Sequence, residues 1–123
     1  MALIVKKTDE PRIVRNWPVV IHTAEDGGKV RKDEIFVDYE VLPQSEVDDI
    51  MRSSQQSGEN ADTALLRRSV KSISGIVDES TNNPIPFNDD TFAEALDRTN
   101  QRVAMANSFF DVQSGRKPAR KNS

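Results

Sequence analysis

The segment KVRKDEIFVDYEVL, residues 29–42, has the clearest strand pattern of this chain. Its hydrophobic pattern has a period of two residues, which is typical of a β-strand with one buried face. One face carries Ile35, Val37, Tyr39 and Val41, and the other carries Phe36, Asp38, Glu40 and Leu42. The first face is therefore predicted to be buried and the second to be mostly solvated.

A second strand-like segment, RNWPVVIHT at residues 15–23, precedes it. Between the two lies AEDGG, whose glycines accept the positive φ values that hairpin turns require. The two segments predict a β-hairpin, and Pro18 indicates that its first strand starts there or lies at a sheet edge. A hairpin alone is marginally stable, so it must pack on helices.

Helical patterns follow the hairpin. Ser45 is a candidate N-cap for a helix after the strand, and Asp62 for another that we predict to reach Ile73. Poor helix formers interrupt the last apolar pattern, which predicts either two helices over about residues 89–97 and 100–112 or one bent helix formed by their fusion. Residues 1–12 contain one short apolar run, interpreted as an edge strand or an unpaired arm. We predict an α+β fold: an N-terminal β-hairpin, with or without a third short strand, packed on a bundle of three to four helices.

The composition predicts one small domain and a C-terminal segment that differs from it in charge. The chain has 123 residues, of which 36% are hydrophobic and 30% are charged, so one modest core is expected. The net charge is −3, although residues 115–123 contain four basic residues and no acidic ones. We therefore predict a single domain over residues 1–114 and a flexible basic tail over 115–123. The acidic body argues against binding of nucleic acid.

The residue types present also limit the kinds of covalent bond, membrane segment and catalytic site that the chain can have. Cysteine is absent, which excludes disulfides and thiol chemistry. The longest apolar runs have four residues, far fewer than the ~20 that span a bilayer, so we expect neither a membrane segment nor a signal peptide. The only histidine is His22, no serine sits in a G-x-S-x-G elbow, and no glycine-rich phosphate loop occurs. We expect no catalytic, cofactor or metal site.

Of all segments of the chain, the one most similar to a functional site is GIVDESTNNPIPFNDDTF, residues 75–92. As a calcium loop it has oxygen ligands at the first positions, but Asn83 replaces the required glycine and Asp89 the bidentate glutamate. As a helix start it fits better, because Asn88 can be the N-cap and Phe87 and Phe92 can form a hydrophobic staple. We therefore interpret the segment as a turn, an extended entry and a capped helix.

Several motifs together resemble those of tail assembly chaperones of long-tailed bacteriophages. They are a strand pair around DGG, FVDYEVL at 36–42, SGIVDES at 74–80, PIPFNDDTFAEAL at 84–96, and FF before GRKPARKN at 115–122. The resemblance spans about residues 14–122. Members of that family often carry a tryptophan shortly before the glycine of the third motif, where this chain has Ile73.

The resemblance implies a non-catalytic factor of the host cell cytoplasm that is absent from the mature virion. It would bind the tape measure protein and promote tail tube assembly, as a homo-oligomer. A ribosomal frameshift near the gene's end often adds an extension that recruits the tail tube protein. The present chain would be the short form, with its basic tail as the junction.

Helical apolar positions and the basic tail are the candidate partner-binding residues. They are Phe92, Leu96, Val103, Phe110, Arg116, Lys117, Arg120 and Lys121. An apolar stripe of this kind can bind a client helix or a sister subunit, or can belong to the core of its own domain. Two other functional classes stay open, a small virion structural protein of the tail or of head completion, and a regulatory DNA-binding protein.

Overall fold

The fold is α+β, as predicted, in a computed structural model that describes residues 1–5 and 10–119. The described elements are β1 (Arg12–Ala24), β2 (Val30–Val41), α1 (Gln44–Ser57), α2 (Ala61–Ser69), β3 (Val70–Ser74), α3 (Asp89–Asp97) and α4 (Thr99–Ser114). The three strands form one antiparallel sheet in the order β1-β2-β3. The helices follow the hairpin, and β3 lies between the second and third of them.

The predicted hairpin is confirmed. In its register Trp17 pairs with Val37 and Val19 with Ile35, which places the alternating apolar residues of both strands on one face. A short 3₁₀ turn over Asp26–Gly28 joins the strands, and both of its glycines have positive φ, at 75° and 80°. The glycines of the turn thus have the backbone role expected from the sequence.

The third strand comes from a segment that the sequence predicted to be helical. The helix α2 ends at Ser69, and Val70 and Ile73 belong to β3. Val70 pairs with Tyr39 and Ile73 with Val37, and a register shift lies between the two pairs. Because the extra residue of a β-bulge changes the alternation, two side chains three positions apart can share the buried face. The helix prediction was wrong beyond Ser69 because this spacing imitates that of a helix.

The N-terminal apolar run does not supply a strand among the residues that the structure describes there. Residues 1–5 have no regular structure, and Leu3 and Ile4 are 90% and 93% exposed. The edge-strand interpretation was therefore wrong for residues 1–5. Residues 6–9, which follow the apolar run, lie outside the described part.

Both predicted N-caps, Ser45 and Asp62, were wrong by two positions. In α1 the carbonyl of Pro43 accepts the N–H of Glu46 at 3.0 Å, so the helix begins before Ser45. In α2 the side chain of Asn60 accepts the N–H of Thr63 at 3.0 Å, so Asn60 is the N-cap and Asp62 lies in the first turn. An aspartate in the first turn is still favourable, because the helix dipole is positive there.

The core lies between the sheet and the helices. Tyr39, near the end of the central strand β2, is fully buried, and its hydroxyl donates to the carbonyl of Met105 in α4 at 2.8 Å. Burial raises the pKa of the Tyr39 hydroxyl well above its ordinary value, so the group is a neutral donor. The fully buried side chains around it are Val19, Val37, Val47, Leu65, Leu66, Ser69, Met105 and Phe109.

The helix α3 begins as predicted. Asn88 accepts the N–H of Thr91 at 2.9 Å, and Thr91 Oγ1 accepts the N–H of Asn88 at 3.0 Å, which together form a capping box. The rings of Phe87 and Phe92 lie 5.2 Å apart, so the predicted staple is confirmed. The sequence PIPFNDDTF therefore orients α3 relative to the loop before it.

Replacing Asn88 with alanine is expected to lower the free energy of unfolding by about 1 kcal/mol, because an N–H at the helix start loses its acceptor. Urea denaturation followed by circular dichroism measures this loss. Asn83→Ala is the matched control, since Asn83 is exposed in the same loop and only its backbone groups bond to Asp78 and Thr81. Its effect should stay within about 0.5 kcal/mol. Equal effects for both variants would contradict the capping assignment.

Candidate partner-binding groove

The acidic loop before α3 is held by its own aspartate. Asp78 Oδ1 accepts the hydroxyl of Ser80 at 2.6 Å, the N–H of Ser80 at 2.8 Å and the N–H of Thr81 at 3.3 Å. These hydrogen bonds, that of the hydroxyl first, lower the pKa of the Asp78 carboxyl. In the described residues no group of three or more His, Asp or Glu side chains is placed to hold a metal ion. The carboxylate of Asp78 thus serves to close a turn.

The glycine of the SGIVDES motif has a packing role. Gly75 follows β3 with φ +94°, and a Cβ atom there would lie 3.3 Å from Cα of Ile35. Past it, the carbonyl of Ile76 accepts the N–H of Ile85 at 2.8 Å, which closes the loop. A side chain at position 75 would be strained in this backbone conformation and would crowd the adjacent strand.

Half-buried charges near the other end of the sheet are paired with one another. Arg68 donates to Glu40 at 2.8 Å and also forms an ion pair with Glu46, and Lys71 lies 3.3 Å from the other oxygen of Glu40. The hydrogen bond from Arg68 is the main cause that lowers the pKa of Glu40. This cluster ties β2 to α1 and to the junction of α2 with β3.

An open groove with an apolar floor lies between α4 and the edge strand β1. We name it the α4–β1 groove, and its volume is about 590 Å³. Among the residues that the structure describes, its lining includes one histidine and no other acidic or basic side chain. The lining residues are Val20, His22, Thr99, Asn100, Val103, Ala104, Asn107 and Ala119.

Hydrogen bonds near both ends of α4 position this groove. At the start of the helix, Asn100 Nδ2 donates to the carbonyl of His22 at 3.0 Å. Near its end, the side-chain amide of Gln113 accepts the N–H of Leu42 at 2.8 Å and donates to the Leu42 carbonyl at 2.9 Å. Leu42 follows Val41, which pairs with Arg12 at the start of β1, whereas His22 lies near the end of β1. The helix α4 therefore runs antiparallel to β1.

One face of α4 lines the groove, and another face belongs to the core. Asn100, Val103, Ala104 and Asn107 follow the i, i+3, i+4, i+7 spacing of a single helical face. Val103 at its centre is 41% exposed. The core face carries Met105, Ala106, Phe109 and Val112, all buried. The groove-lining face of α4 is thus only partly covered by its own domain, since Ala104 packs against the core while Val103 is exposed.

The edge of β1 is poorly suited to accept another strand. A register shift interrupts the pairing after Val14, and Asn16 has φ +55° while its N–H donates to Asp38 at 2.8 Å. Pro18 has no N–H to donate. Bulges and prolines of this kind protect sheet edges against strand addition. A partner at this side of the molecule is therefore expected to contact side chains of the groove.

The partner-binding residues predicted from the sequence lie in different environments in the structure. Leu96 is buried in the core, and Phe92 and Phe110 are half-buried, each against a neighbouring phenylalanine ring. Of the apolar members only Val103 lines the groove. Arg116 forms an ion pair with Asp111 at 3.4 Å, and Lys117 is exposed. The predicted residues Arg120 and Lys121 lie outside the described part of the chain.

Sequence reasoning missed most of the groove. Ala104 and the two flanking asparagines of α4 were not singled out, and Val20 was considered only as a strand residue. A signal was present in N-Q-R-V-A-M-A-N, residues 100–107, where two amides bracket an apolar pair at helical spacing. The contribution of β1 had no local signal, because His22 and Asn100 are 78 residues apart.

A scan against protein-family models and searches of curated proteins and of solved structures found no match to this chain. Among the residues described, no helix has the length and apolar character needed to cross a membrane.

Proposed function

We propose that this chain is a non-catalytic tail assembly chaperone of a long-tailed bacteriophage, which binds the tape measure protein and promotes assembly of the tail tube. The motifs GIVDES, PIPF and the capped acidic helix support the family assignment by resemblance. In this proposal the chain acts as a homo-oligomer in the host cell cytoplasm and is left out of the finished virion. A frameshifted extension would recruit the tail tube protein.

The observation that carries the proposal is the groove-lining face of α4, on which Val103 is exposed and Ala104 is half-buried. Val103 and Ala104 offer a small apolar surface, and Asn100 and Asn107 border it with uncharged hydrogen-bonding groups. A client helix with an aliphatic stripe fits such a groove, in the way amphipathic helices bind other proteins. Tape measure proteins are long and helical, so they present stripes of this kind.

The charge distribution agrees with a helical protein client. The body of the domain is acidic, and the groove itself is almost uncharged, so a polyanion would gain little there. An apolar client gains mainly by removing its stripe from water, at roughly 25 cal/mol per Å². The groove would thus shield an aggregation-prone segment without recognising a particular sequence.

Co-expression with the tape measure protein of the same phage tests the proposal. We expect a tagged copy of this chain to keep the tape measure protein soluble and to co-purify with it. Mass spectrometry of purified virions should detect no copies of the chain. Abundant copies in the virion, with no complex in the lysate, would favour the small structural protein instead.

A further inference from the structure

The residues that follow α4 turn back toward the groove. We name Gly115, Arg116, Lys117, Pro118 and Ala119 the C-terminal strap. The N–H of Gly115 donates to the carbonyl of Val112 at 3.3 Å, and the N–H of Arg116 donates to that of Asp111 at 2.9 Å. With Gly115 at φ +69°, these bonds form a Schellman motif. The motif directs the chain away from the helix axis.

Side-chain contacts hold the strap beside the helix. Arg116 Nε lies 3.4 Å from the carboxylate of Asp111, and Pro118 is half-buried. Ala119 reaches the α4–β1 groove and lines it together with Val103 and Asn107. The strap thus forms one wall of the groove that the proposed function assigns to a client.

We propose that the strap is an intramolecular competitor for the groove, and that an apolar client helix displaces it. The competition rests on the proposed function, whereas partial closure of the groove by the strap does not. In the chain without client, the strap reduces contact of Val103 and Ala104 with other proteins. Client binding then couples to release of the C-terminal segment.

The contacts that hold the strap in place are weak enough for a client helix to displace it. Its ion pair is exposed, with 66% of the Arg116 side chain accessible, and such pairs add little stability. Alanine and proline offer less apolar area than the leucine or valine of a client stripe. A client helix therefore gains more in the groove than the strap loses.

Thiol labelling tests the closure of the groove without any client. The chain has no cysteine, so Ala104→Cys places a single thiol in the groove. We compare its reaction with a maleimide in three backgrounds: unchanged, Gly115→Val and Gly58→Val. Gly115 and Gly58 both follow a helix at positive φ, and an added Cβ has open space at both, so the two variants carry similar backbone strain. Only Gly115 directs the strap.

We expect faster labelling in Gly115→Val alone. A groove that is open in about 10–50% of molecules becomes about 2- to 10-fold more accessible when the strap is released. A thiol at Ala93, which is exposed on α3, should react at the same rate in all three backgrounds. Equal rates for Ala104→Cys in all three backgrounds, or equal increases in both valine variants, would overturn the proposal.

Binding of the tape measure protein tests the competition. Gly115→Val should bind it about 2- to 10-fold more tightly than the unchanged chain, by the same population argument, and Gly58→Val should not. If Gly115→Val is labelled faster but binds the tape measure protein with unchanged affinity, the proposed competition between strap and client is wrong. If the tape measure protein binds neither variant nor the unchanged chain, the proposed function fails, and closure of the groove is decided by the labelling rates alone.

Discussion

Replacing Phe109 with alanine is expected to lower the free energy of unfolding by about 3–5 kcal/mol, the usual cost of removing a buried phenylalanine. Phe109 is fully buried, and its ring centroid lies 6.2 Å from that of Tyr39 and 5.3 Å from that of Phe110. It stands on the core face of α4, opposite the central strand. The loss combines transfer of the ring to water with the cavity left behind, because close-packed neighbours relax only partly.

Urea denaturation measures this effect, with circular dichroism and the fluorescence of the single tryptophan, Trp17, as two probes. Phe36→Ala is the matched control, since Phe36 is 37% exposed on the opposite face of β2. Its cost should be clearly smaller. Because Phe109→Ala removes a large part of the total stability of a small domain, Phe109→Leu gives a milder variant that should still fold. Equal costs for Phe36→Ala and Phe109→Ala would contradict the assignment of the core face of α4.

Replacing Val103 with aspartate is expected to weaken binding of the tape measure protein by at least about 30-fold, which corresponds to the ~2 kcal/mol threshold of an interface hot spot. Val103 stands at the centre of the groove-lining face of α4, with 41% of its surface exposed. A client helix would bury the new carboxylate, and the groove offers it no cationic partner among the residues that line it. Burial of an unpaired charge is costly.

The same substitution should change folding stability little. Valine and aspartate have similar helix propensities, and the position is already open to water, so a cost within about 0.5 kcal/mol is expected. Isothermal titration or a pull-down measures binding, and urea denaturation measures stability. Val30→Asp is the matched control, because Val30 is 55% exposed outside the groove. If Val103→Asp binds as the unchanged chain does, the client contacts another surface.

Most elements with local signals were predicted correctly. The period-two pattern of residues 29–42 and the glycines after Asp26 predicted the hairpin, since both depend on neighbours within a few positions. Asn88, Phe87 and Phe92 predicted the start of α3 for the same reason. The break between α3 and α4 falls where poor helix formers interrupt the pattern.

The errors concern places where a distant element decides the outcome. Val70 and Ile73 have helical spacing, but pairing with β2 and the bulge in that pairing convert them into strand residues. The apolar positions of the last two helices were read as one stripe, although Leu96 faces the core and Val103 is exposed. A helix with apolar residues on two faces gives no local indication of which face its own domain will cover.

Short-range features of the amino-acid sequence are enough to predict the hairpin, the capped start of α3 and the acidic turn at Asp78, because alternation, turn residues and capping groups act between neighbours in the chain. Three other features become visible in the folded chain: β3 completes the sheet, Phe109 belongs to the core while Val103 is exposed, and Ala119 lines the groove. These features depend on contacts between segments far apart in the chain, and packing against the sheet selects among faces that the local pattern leaves equivalent.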